Sequence, residues 1–148
     1  MLYAYHGQRL EDGCVIHVSD ENSCCEALAS RVNLFNHSSR FEWGYHGSGP
    51  AQTALAILAH HLKNPANHPA VLYALGLTEP PPLHQCMGVA LNECLAIRYH
   101  QLFKSRIVSR LPFNGWVLKT EDINRLVIAF EDMHIAKKFN LFEEPYNL

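Results

Sequence analysis

Apolar residues recur with helical spacing in three stretches of this chain. Their i, i+3, i+4, i+7 pattern predicts helices near 50–63, 84–110 and 121–131, each with one apolar face. Pro50 suits the first turn of the first helix, because its missing N–H needs no partner there. Pro112 ends the second helix, because proline cannot continue the helical hydrogen bonds. We expect the three apolar faces to cover a common core.

Short runs of β-type residues predict a small antiparallel sheet. Residues 2–5 and 14–18 flank an Asp-Gly turn signal, which predicts an N-terminal hairpin. The aromatic run 41–45 and the apolar run 116–118 predict two further strands. Strands and helices in this order predict an α+β fold, in which the helices cover the sheet.

Two other stretches complete the predicted organisation. Ser23 and Glu26 have the spacing of a capping box, which predicts a short helix over 24–32. Residues 64–83 are rich in proline and histidine and predict an inserted or mobile segment. No repeat or linker divides the chain, so we expect residues 1–148 to form a single domain.

Composition narrows the classes of function. The 148 residues are 48% hydrophobic and 18% charged, which is enough to bury one core. A formal net charge of -2 argues against a nucleic-acid partner, because phosphate binding requires clustered cations. Neither a membrane-length apolar stretch nor a signal peptide is visible, so we expect a cytoplasmic protein without a membrane partner. The five cysteines then predict reduced, mostly buried thiols.

The most specific motif is the segment Phe-Glu-Trp-Gly-Tyr-His-Gly-Ser-Gly-Pro-Ala-Gln at 41–52. It places glycine-rich backbone directly before a helix, where free N–H groups can hold an anion or simply allow a turn. It is neither a Walker loop, since no Gly-Lys-Ser/Thr follows, nor a dinucleotide-binding fingerprint. On the structural interpretation, the glycines form a turn and the aromatic residues pack in the core. On the ligand-binding interpretation, the contacting residues are Trp43, Tyr45, His46, Gly47, Ser48, Gly49, Gln52, Arg106 and Arg110.

Ten histidines raise the questions of metal binding and catalysis. His60 and His61 are neighbours in a predicted helix and point about 100° apart, so one ion rarely uses both. The motifs His-Glu-x-x-His and Gly-x-Ser-x-Gly are both absent from the sequence. His46 close to Ser48 is a common chance pairing and does not by itself indicate a nucleophile. We therefore expect no metal, no cofactor and no catalytic residues, and leave open whether the histidines cluster.

The 41–52 motif, continued by an apolar stretch at 54–58, resembles the signature of the domain family of unknown function numbered 6166. Similarity to the family pattern extends to 36–38 and 99–104. The chain departs from that pattern at His46, where the family usually has glycine. The family has no established activity, so the resemblance implies no catalytic or binding residues. It does imply a small bacterial or phage protein, carried by a phage or mobile element.

Together these observations favour a small, non-catalytic intracellular binding module over an enzyme. Its expected ligand is an anionic small molecule, such as a phosphate-bearing compound or a nucleotide, held at the Gly-Ser-Gly-Pro turn of 47–50. One alternative is a protein-interaction module, an inhibitor or adaptor of a host protein, with the aromatic and acidic end 139–148 as a contact. A second alternative is a small hydrolase that uses a histidine. The ligand or partner and the oligomeric state stay open.

Overall fold

The computed structural model describes residues 3–64, 67 and 91–138. Its elements are, in chain order, β1 (Ala4–Leu10), β2 (Gly13–Ser19), β3 (Cys25–Ala27), α1 (Ser48–His61), α2 (Leu91–Arg106), a short 3-10 helix (Val108–Arg110), β4 (Gly115–Lys119) and α3 (Thr120–Lys138). An antiparallel sheet with three helices confirms the predicted α+β class. The predicted segment 64–83, except for residues 64 and 67, and the C-terminal end 139–148 lie outside the described residues.

The sheet has four antiparallel strands in the order β3-β2-β1-β4. The inner strand β1 pairs with both β2 and β4, so that Gly7 lies opposite Ile16 on one side and Trp116 on the other. Glycine is required here, because a Cβ at this position would overlap the Trp116 ring. Ile16 and Val18 are buried and His17 between them is exposed, as strand periodicity predicts. The predicted hairpin and the predicted strand containing Trp116 are therefore confirmed.

Helix α1 runs through the centre of the molecule. Every residue from Gly49 to Ala59 is buried, so the helix is enclosed on all sides rather than along one stripe. Its many alanines allow neighbouring elements to approach closely, and α1 packs chiefly against α2. The largest side chains of the surrounding core are Tyr5, Trp43, Leu55, Ile57, Leu58, Leu62, Leu95, Tyr99, Phe103 and Ile123.

The predicted strand at 41–45 is wrong. Residues 41–43 have no regular secondary structure and the chain bends directly after them. The reason lies in Thr53 of α1, whose hydroxyl accepts a hydrogen bond from the Glu42 N–H at 3.0 Å and donates one to the Glu42 carbonyl at 2.8 Å. Gly44, with φ at 86°, then turns the chain. The Thr53 side chain thus makes the hydrogen bonds to the Glu42 backbone that a neighbouring strand was expected to make.

The short helix predicted over 24–32 is also wrong, and its first residues form β3 instead. This strand pairs antiparallel with β2, with Ala27 opposite His17. The Asp20 carboxylate accepts a hydrogen bond from the Cys24 N–H at 3.0 Å, which forms a turn where a helix was expected to begin. Ser23, the expected N-cap, has a left-handed φ of 63°. The side-chain turn at Asp20 therefore outcompetes the capping box.

The three predicted helices are confirmed within the described residues, with shifted ends, and the predicted start of the second helix at 84–90 lies outside those residues. Helix α1 begins two residues earlier than predicted, and α2 ends at Arg106, after which the short 3-10 helix follows. Helix α3 continues to Lys138, beyond the predicted end at residue 131. Among the residues that the structure describes, no helix combines the length and hydrophobicity that a membrane span requires.

Candidate functional site

The first region of interest is the α1 corner, residues 42–49, which leads into the central helix. Gly44 donates its N–H to the Val108 carbonyl at 3.0 Å, and this bond attaches the corner to the short 3-10 helix. His46 and Ser48 are exposed at its tip. The corner is therefore fixed where it starts and open to solvent where the motif predicts a ligand.

Two glycines of the α1 corner are enclosed by side chains. A Cβ on Gly49 would lie 2.6 Å from the Glu42 Cβ, and a Cβ on Gly47 would lie 2.8 Å from the ring of half-exposed Tyr45. Side chains do not approach this closely, so Gly49 cannot be replaced without a shift of Glu42 or of the helix start, and a side chain at Gly47 would have to displace the Tyr45 ring. Trp43 is buried and belongs to the core. The glycine spacing that suggests an anion loop is here explained by packing.

The α1 corner already contains an anion. The Glu42 side chain packs against Gly49 at the start of α1, and both terminal nitrogens of Arg9 bind its carboxylate, at 2.9 and 3.2 Å. The guanidinium carbon of Arg9 lies 3.8 Å from the centre of the Phe113 ring. Hydrogen bonding to Arg9 lowers the pKa of Glu42, so this carboxylate is charged at neutral pH. A phosphate at 47–49 would lie near this negative charge.

The cysteines do not form a reactive centre at the corner. Cys14 donates to a carboxylate oxygen of Glu42 at 3.6 Å, and burial, together with that carboxylate, raises the pKa of the Cys14 thiol to about 11. Such a thiol is protonated at neutral pH and is a poor nucleophile. Cys24 and Cys25 are exposed, and Cys94 is disulfide-bonded. The prediction of buried thiols is therefore wrong for Cys24 and Cys25, and the prediction of reduced thiols is wrong for the buried Cys94.

The other predicted contacts lie on three different elements. Gln52 is fully buried, donates its amide N–H to the Ser30 carbonyl at 2.6 Å and accepts the His37 N–H at 2.9 Å. It therefore braces the loop after β3. Arg110 is exposed on the 3-10 helix that is bonded to the α1 corner, and Arg106 is half-buried at the end of α2.

A second region lies toward the C-terminal end of α1. There a cavity of about 470 Å³ separates the segment after β3 from the start of α2, and we call it the β3 groove. It is lined by Glu26, Ala27, Leu28, Ala29, Arg31, Ala56, Ala59, His60, Lys63, Asn92 and Glu93. A neighbouring cavity of about 410 Å³ shares Glu26, His60 and Lys63 with it. The groove thus combines a wall of small residues with several charged groups.

His60 is held in a fixed orientation at the β3 groove. Its Nδ1 lies 2.8 Å from the Tyr5 hydroxyl, and its Nε2 lies 3.3 Å from a carboxylate oxygen of Glu26. Because an ionised carboxylate only accepts hydrogen bonds, Nε2 carries the hydrogen and Nδ1 accepts a hydrogen bond from the Tyr5 hydroxyl. The Tyr3 ring meets the imidazole edge-on, with 5.1 Å between ring centroids. Three side chains therefore position one imidazole.

Burial keeps His60 and Tyr5 uncharged at neutral pH. Burial lowers the pKa of His60, although Glu26 opposes this effect, and burial raises the pKa of Tyr5. The Tyr5 side chain is fully buried and cannot reach a molecule in the groove. The Tyr5–His60–Glu26 chain is therefore suited to orienting the imidazole and lacks an accessible nucleophile.

Charges of both signs line the β3 groove. Arg31 forms an ion pair with Glu93 across the groove wall. The Glu26 side chain is 69% exposed, and Lys63 is exposed close enough to His60 for its charge to lower the pKa of the imidazole. The two carboxylates and two cations balance. The groove can therefore contact both anionic and donor groups of a polar molecule.

Among the described residues, potential metal ligands do not converge in sets of three. Within residues 3–64, 67 and 91–138, no group of three or more His, Cys, Asp or Glu side chains is placed to hold an ion. His61 is fully buried, with Nε2 2.8 Å from the Asn124 amide oxygen, and burial lowers its pKa to about 4. A histidine–serine hydrogen bond of 2.8 Å joins His6 and Ser19 on the hairpin. The histidines thus occupy several separate environments.

The β3 groove was not predicted from the sequence. The pattern assigns Glu26 to a helix cap, and it considers His60 only as half of a metal pair. These two residues lie 34 positions apart and meet only because β3 folds back beside α1. The sequence offers only a weak signal: His60 lies in the last turn of an otherwise apolar helix and Lys63 lies just after its end.

Comparison with known proteins identifies a matching family but gives no activity. Residues 5–72 match the model of a family of unknown function (DUF6166), which confirms the resemblance carried by the 41–52 motif. The matched segment contains β1 to β3, the α1 corner, α1 and most residues of the β3 groove. No curated protein and no solved structure matches the chain at a significant level. The bacterial or phage origin stays a prediction.

Proposed function

We propose that this chain, whose residues 5–72 belong to the DUF6166 family, is a non-catalytic binding module that takes a small polar molecule into the β3 groove. The observation that carries the proposal is the groove itself, a cavity of about 470 Å³ with an oriented imidazole and charges of both signs. Small-molecule sites commonly have volumes of about 300–1,000 Å³ and combine an apolar wall with a few fixed polar groups.

The lining defines the chemical class of the ligand. Lys63 favours an anionic group such as a carboxylate or a phosphate, and the exposed Glu26 carboxylate favours an amine or hydroxyl donor. Asn92 donates to the Ala59 carbonyl at 3.4 Å, which places its amide beside the same wall. A phosphate-bearing compound or nucleotide with donor groups belongs to this class. The anionic ligand expected from sequence is therefore kept in the proposal, and its site moves to the groove.

The geometry supports binding better than hydrolysis. Both ring nitrogens of His60 have hydrogen-bond partners, and the hydroxyl that the imidazole contacts, on Tyr5, is fully buried. A hydrolase needs an accessible nucleophile within reach of its base. The groove offers fixed hydrogen-bonding groups, which are sufficient for recognition.

A thermal-shift screen tests the proposal. The wild-type protein is heated with inorganic phosphate, nucleotides, amino acids and sugar phosphates, since a bound ligand stabilises the folded state. Two variants are screened in parallel. Ala29→Trp fills the groove from an exposed position on its wall, and Ser48→Ala removes the exposed hydroxyl at the α1 corner. We expect a compound that raises the melting temperature of the wild type and of Ser48→Ala, and has no effect on Ala29→Trp.

Two outcomes would overturn this function. A shift that persists in Ala29→Trp and disappears in Ser48→Ala would return the site to the Gly-Ser-Gly-Pro turn. The absence of any shift with the whole panel would contradict small-molecule binding. A pull-down with host proteins would then test the alternative, an inhibitor or adaptor.

A further inference from the structure

Two histidines connect the loop after β3 to α2. The Nε2 atoms of His37 and His100 lie 2.9 Å apart, although the residues are 63 positions apart in the chain. The two ring centroids are separated by 5.1 Å. The proposed function uses neither residue. This pair is the closest approach of two histidine nitrogens among the hydrogen bonds between described residues.

Further contacts fix the orientation of each of the two imidazoles. His100 Nδ1 lies 2.7 Å from the Ile97 carbonyl, so this nitrogen carries the hydrogen, and His100 Nε2 accepts a hydrogen bond from His37 Nε2. A metal ion between the two nitrogens would replace that hydrogen, which moves to Nδ1 of neutral His37. The backbone of His37 is fixed by Gln52, and the Phe35 ring packs on its imidazole with 4.3 Å between centroids. A carbonyl that accepts from the second ring nitrogen is the support that metal-binding histidines usually have.

We propose that His37 and His100 form a two-histidine site for a divalent transition-metal ion, with Cu²⁺ or Ni²⁺ preferred to Zn²⁺. Metal–imidazole bonds of about 2.0–2.1 Å place two nitrogens about 2.9 Å apart at a right angle and about 3.4 Å apart at a tetrahedral angle. The observed 2.9 Å fits the right angle, which belongs to the tetragonal and octahedral geometries of Cu²⁺ and Ni²⁺. His37 is only half-buried, so water can complete the coordination.

One cation acts against this site. Lys104 lies one helical turn after His100 on α2, and its charge, in addition to burial, lowers the pKa of both histidines. The same charge repels a metal ion. Removal of the lysine charge should therefore tighten metal binding, whereas a structural hydrogen bond between the two imidazoles would give no such effect.

Calorimetric titration with CuCl₂ and with NiCl₂ tests the site. The chelator-treated wild type, His37→Gln and the control His17→Gln are compared; His17 is an exposed histidine on the sheet. We expect one ion per chain for the wild type and the control, and at least tenfold weaker binding for His37→Gln. Lys104→Gln should bind roughly fivefold more tightly, because a like charge is removed. The nitrogen hyperfine pattern of bound Cu²⁺ should report two imidazole ligands.

The titrations still test the site if one of the variants does not fold. His100 is 6% exposed, so His37→Gln carries the main test and circular dichroism checks its fold. Binding by His37→Gln that equals the wild type would overturn the site. So would loss of binding in His17→Gln alone, which would place the ion on the hairpin. An unchanged affinity in Lys104→Gln would also contradict it.

Discussion

The α1 corner and the β3 groove lie toward opposite ends of the same helix. Each contains a glutamate, but the two carboxylates differ in exposure and in hydrogen-bond partners. At the corner, Glu42 is bound by two nitrogens of Arg9 and packs against Gly49. At the groove, Glu26 is largely exposed and contacts a neutral imidazole at 3.3 Å. The first carboxylate is paired within the structure. The second retains acceptor capacity for a ligand.

This difference shows that the most recognisable sequence motif and the most accessible polar groups lie in different parts of the molecule. The glycines and aromatics of the α1 corner stand out because close packing of Glu42 and Tyr45 restricts what can replace Gly47 and Gly49. The groove is lined largely by alanines and by charged residues from distant parts of the chain. In this protein the recognisable motif therefore belongs to the tightly packed α1 corner. The β3 groove, whose polar groups are available to a ligand, has no local sequence motif.

Acidification should give the largest difference between the two ends of α1 in their contributions to the free energy of unfolding. Burial lowers the pKa of His61, near the groove, to about 4. Below pH 6.5 the unfolded chain binds a proton that the folded chain does not, so the free energy of unfolding falls as the pH drops from about 6.5 to about 4. The expected loss is on the order of 3 kcal/mol. The lowered pKa of Glu42 acts in the same direction but at more acidic pH, because its contribution is lost only as that carboxylate becomes protonated.

Urea denaturation between pH 7.5 and 4.5 measures this effect. His61→Gln should reduce the pH dependence of the unfolding free energy. Part of the dependence should stay, because burial also lowers the pKa of His37, His60 and His100. Glu42→Gln should leave the dependence close to that of the wild type in this range. An equal slope for His61→Gln and the wild type would show that His61 is not the buried titrating group.

Gly49→Ala should give the next largest effect. The new Cβ would lie 2.6 Å from the Glu42 Cβ, so Glu42 or the first turn of α1 must shift. We expect a loss of about 2 kcal/mol in unfolding free energy, the usual cost of overpacking. Ser48→Ala is the matched control at an exposed neighbour and should change stability by less than about 0.5 kcal/mol. Chemical denaturation of both variants checks the difference, and similar stabilities would refute the packing explanation for the glycine.

A matched pair of carboxylate substitutions gives the smallest effect. Glu42→Gln removes a charge that two Arg9 nitrogens bind at a partly exposed position, and should cost about 1 kcal/mol. Glu26→Gln removes a mostly exposed carboxylate beside a neutral histidine, and should cost less than about 0.5 kcal/mol. Equilibrium unfolding of the two variants at pH 7.5 compares them. A larger loss for Glu26→Gln would reverse the comparison.

The sequence predicts the parts of this fold that depend on local interactions. The hairpin follows from its Asp-Gly turn and strand alternation, and α1 follows from Pro50 and the apolar spacing after it. The start of the central helix was therefore predicted to within two residues. Its complete burial was not, because enclosure on every side depends on elements that are distant in sequence.

The errors have a common physical cause. In β3 all three residues are exposed, so no alternation distinguishes this strand from the capping-box pattern of Ser23 and Glu26. At 41–45, aromatic residues with high strand propensity are held by the hydroxyl of Thr53, eleven residues after Glu42. Both outcomes are set by tertiary contacts, and such contacts override weak local propensity.

The candidate site depends on the same long-range contacts. Glu26, His60 and Glu93 line one cavity only after β3, α1 and α2 have packed together. The residues predicted to bind a ligand were instead neighbours in one motif, apart from Arg106 and Arg110. The structure gives most of them a packing role and leaves His46 and Ser48 exposed at the tip of the α1 corner.

The central claim is that the β3 groove, and not the α1 corner, receives the ligand. Amide chemical-shift mapping by NMR tests it most directly, with the compound that gives the largest thermal shift titrated into the labelled protein. The account predicts saturable shifts at residues 26–31, 59–63 and 92–93, with residues 44–49 unchanged. Shifts concentrated at 44–49, with the groove residues unchanged, would contradict it.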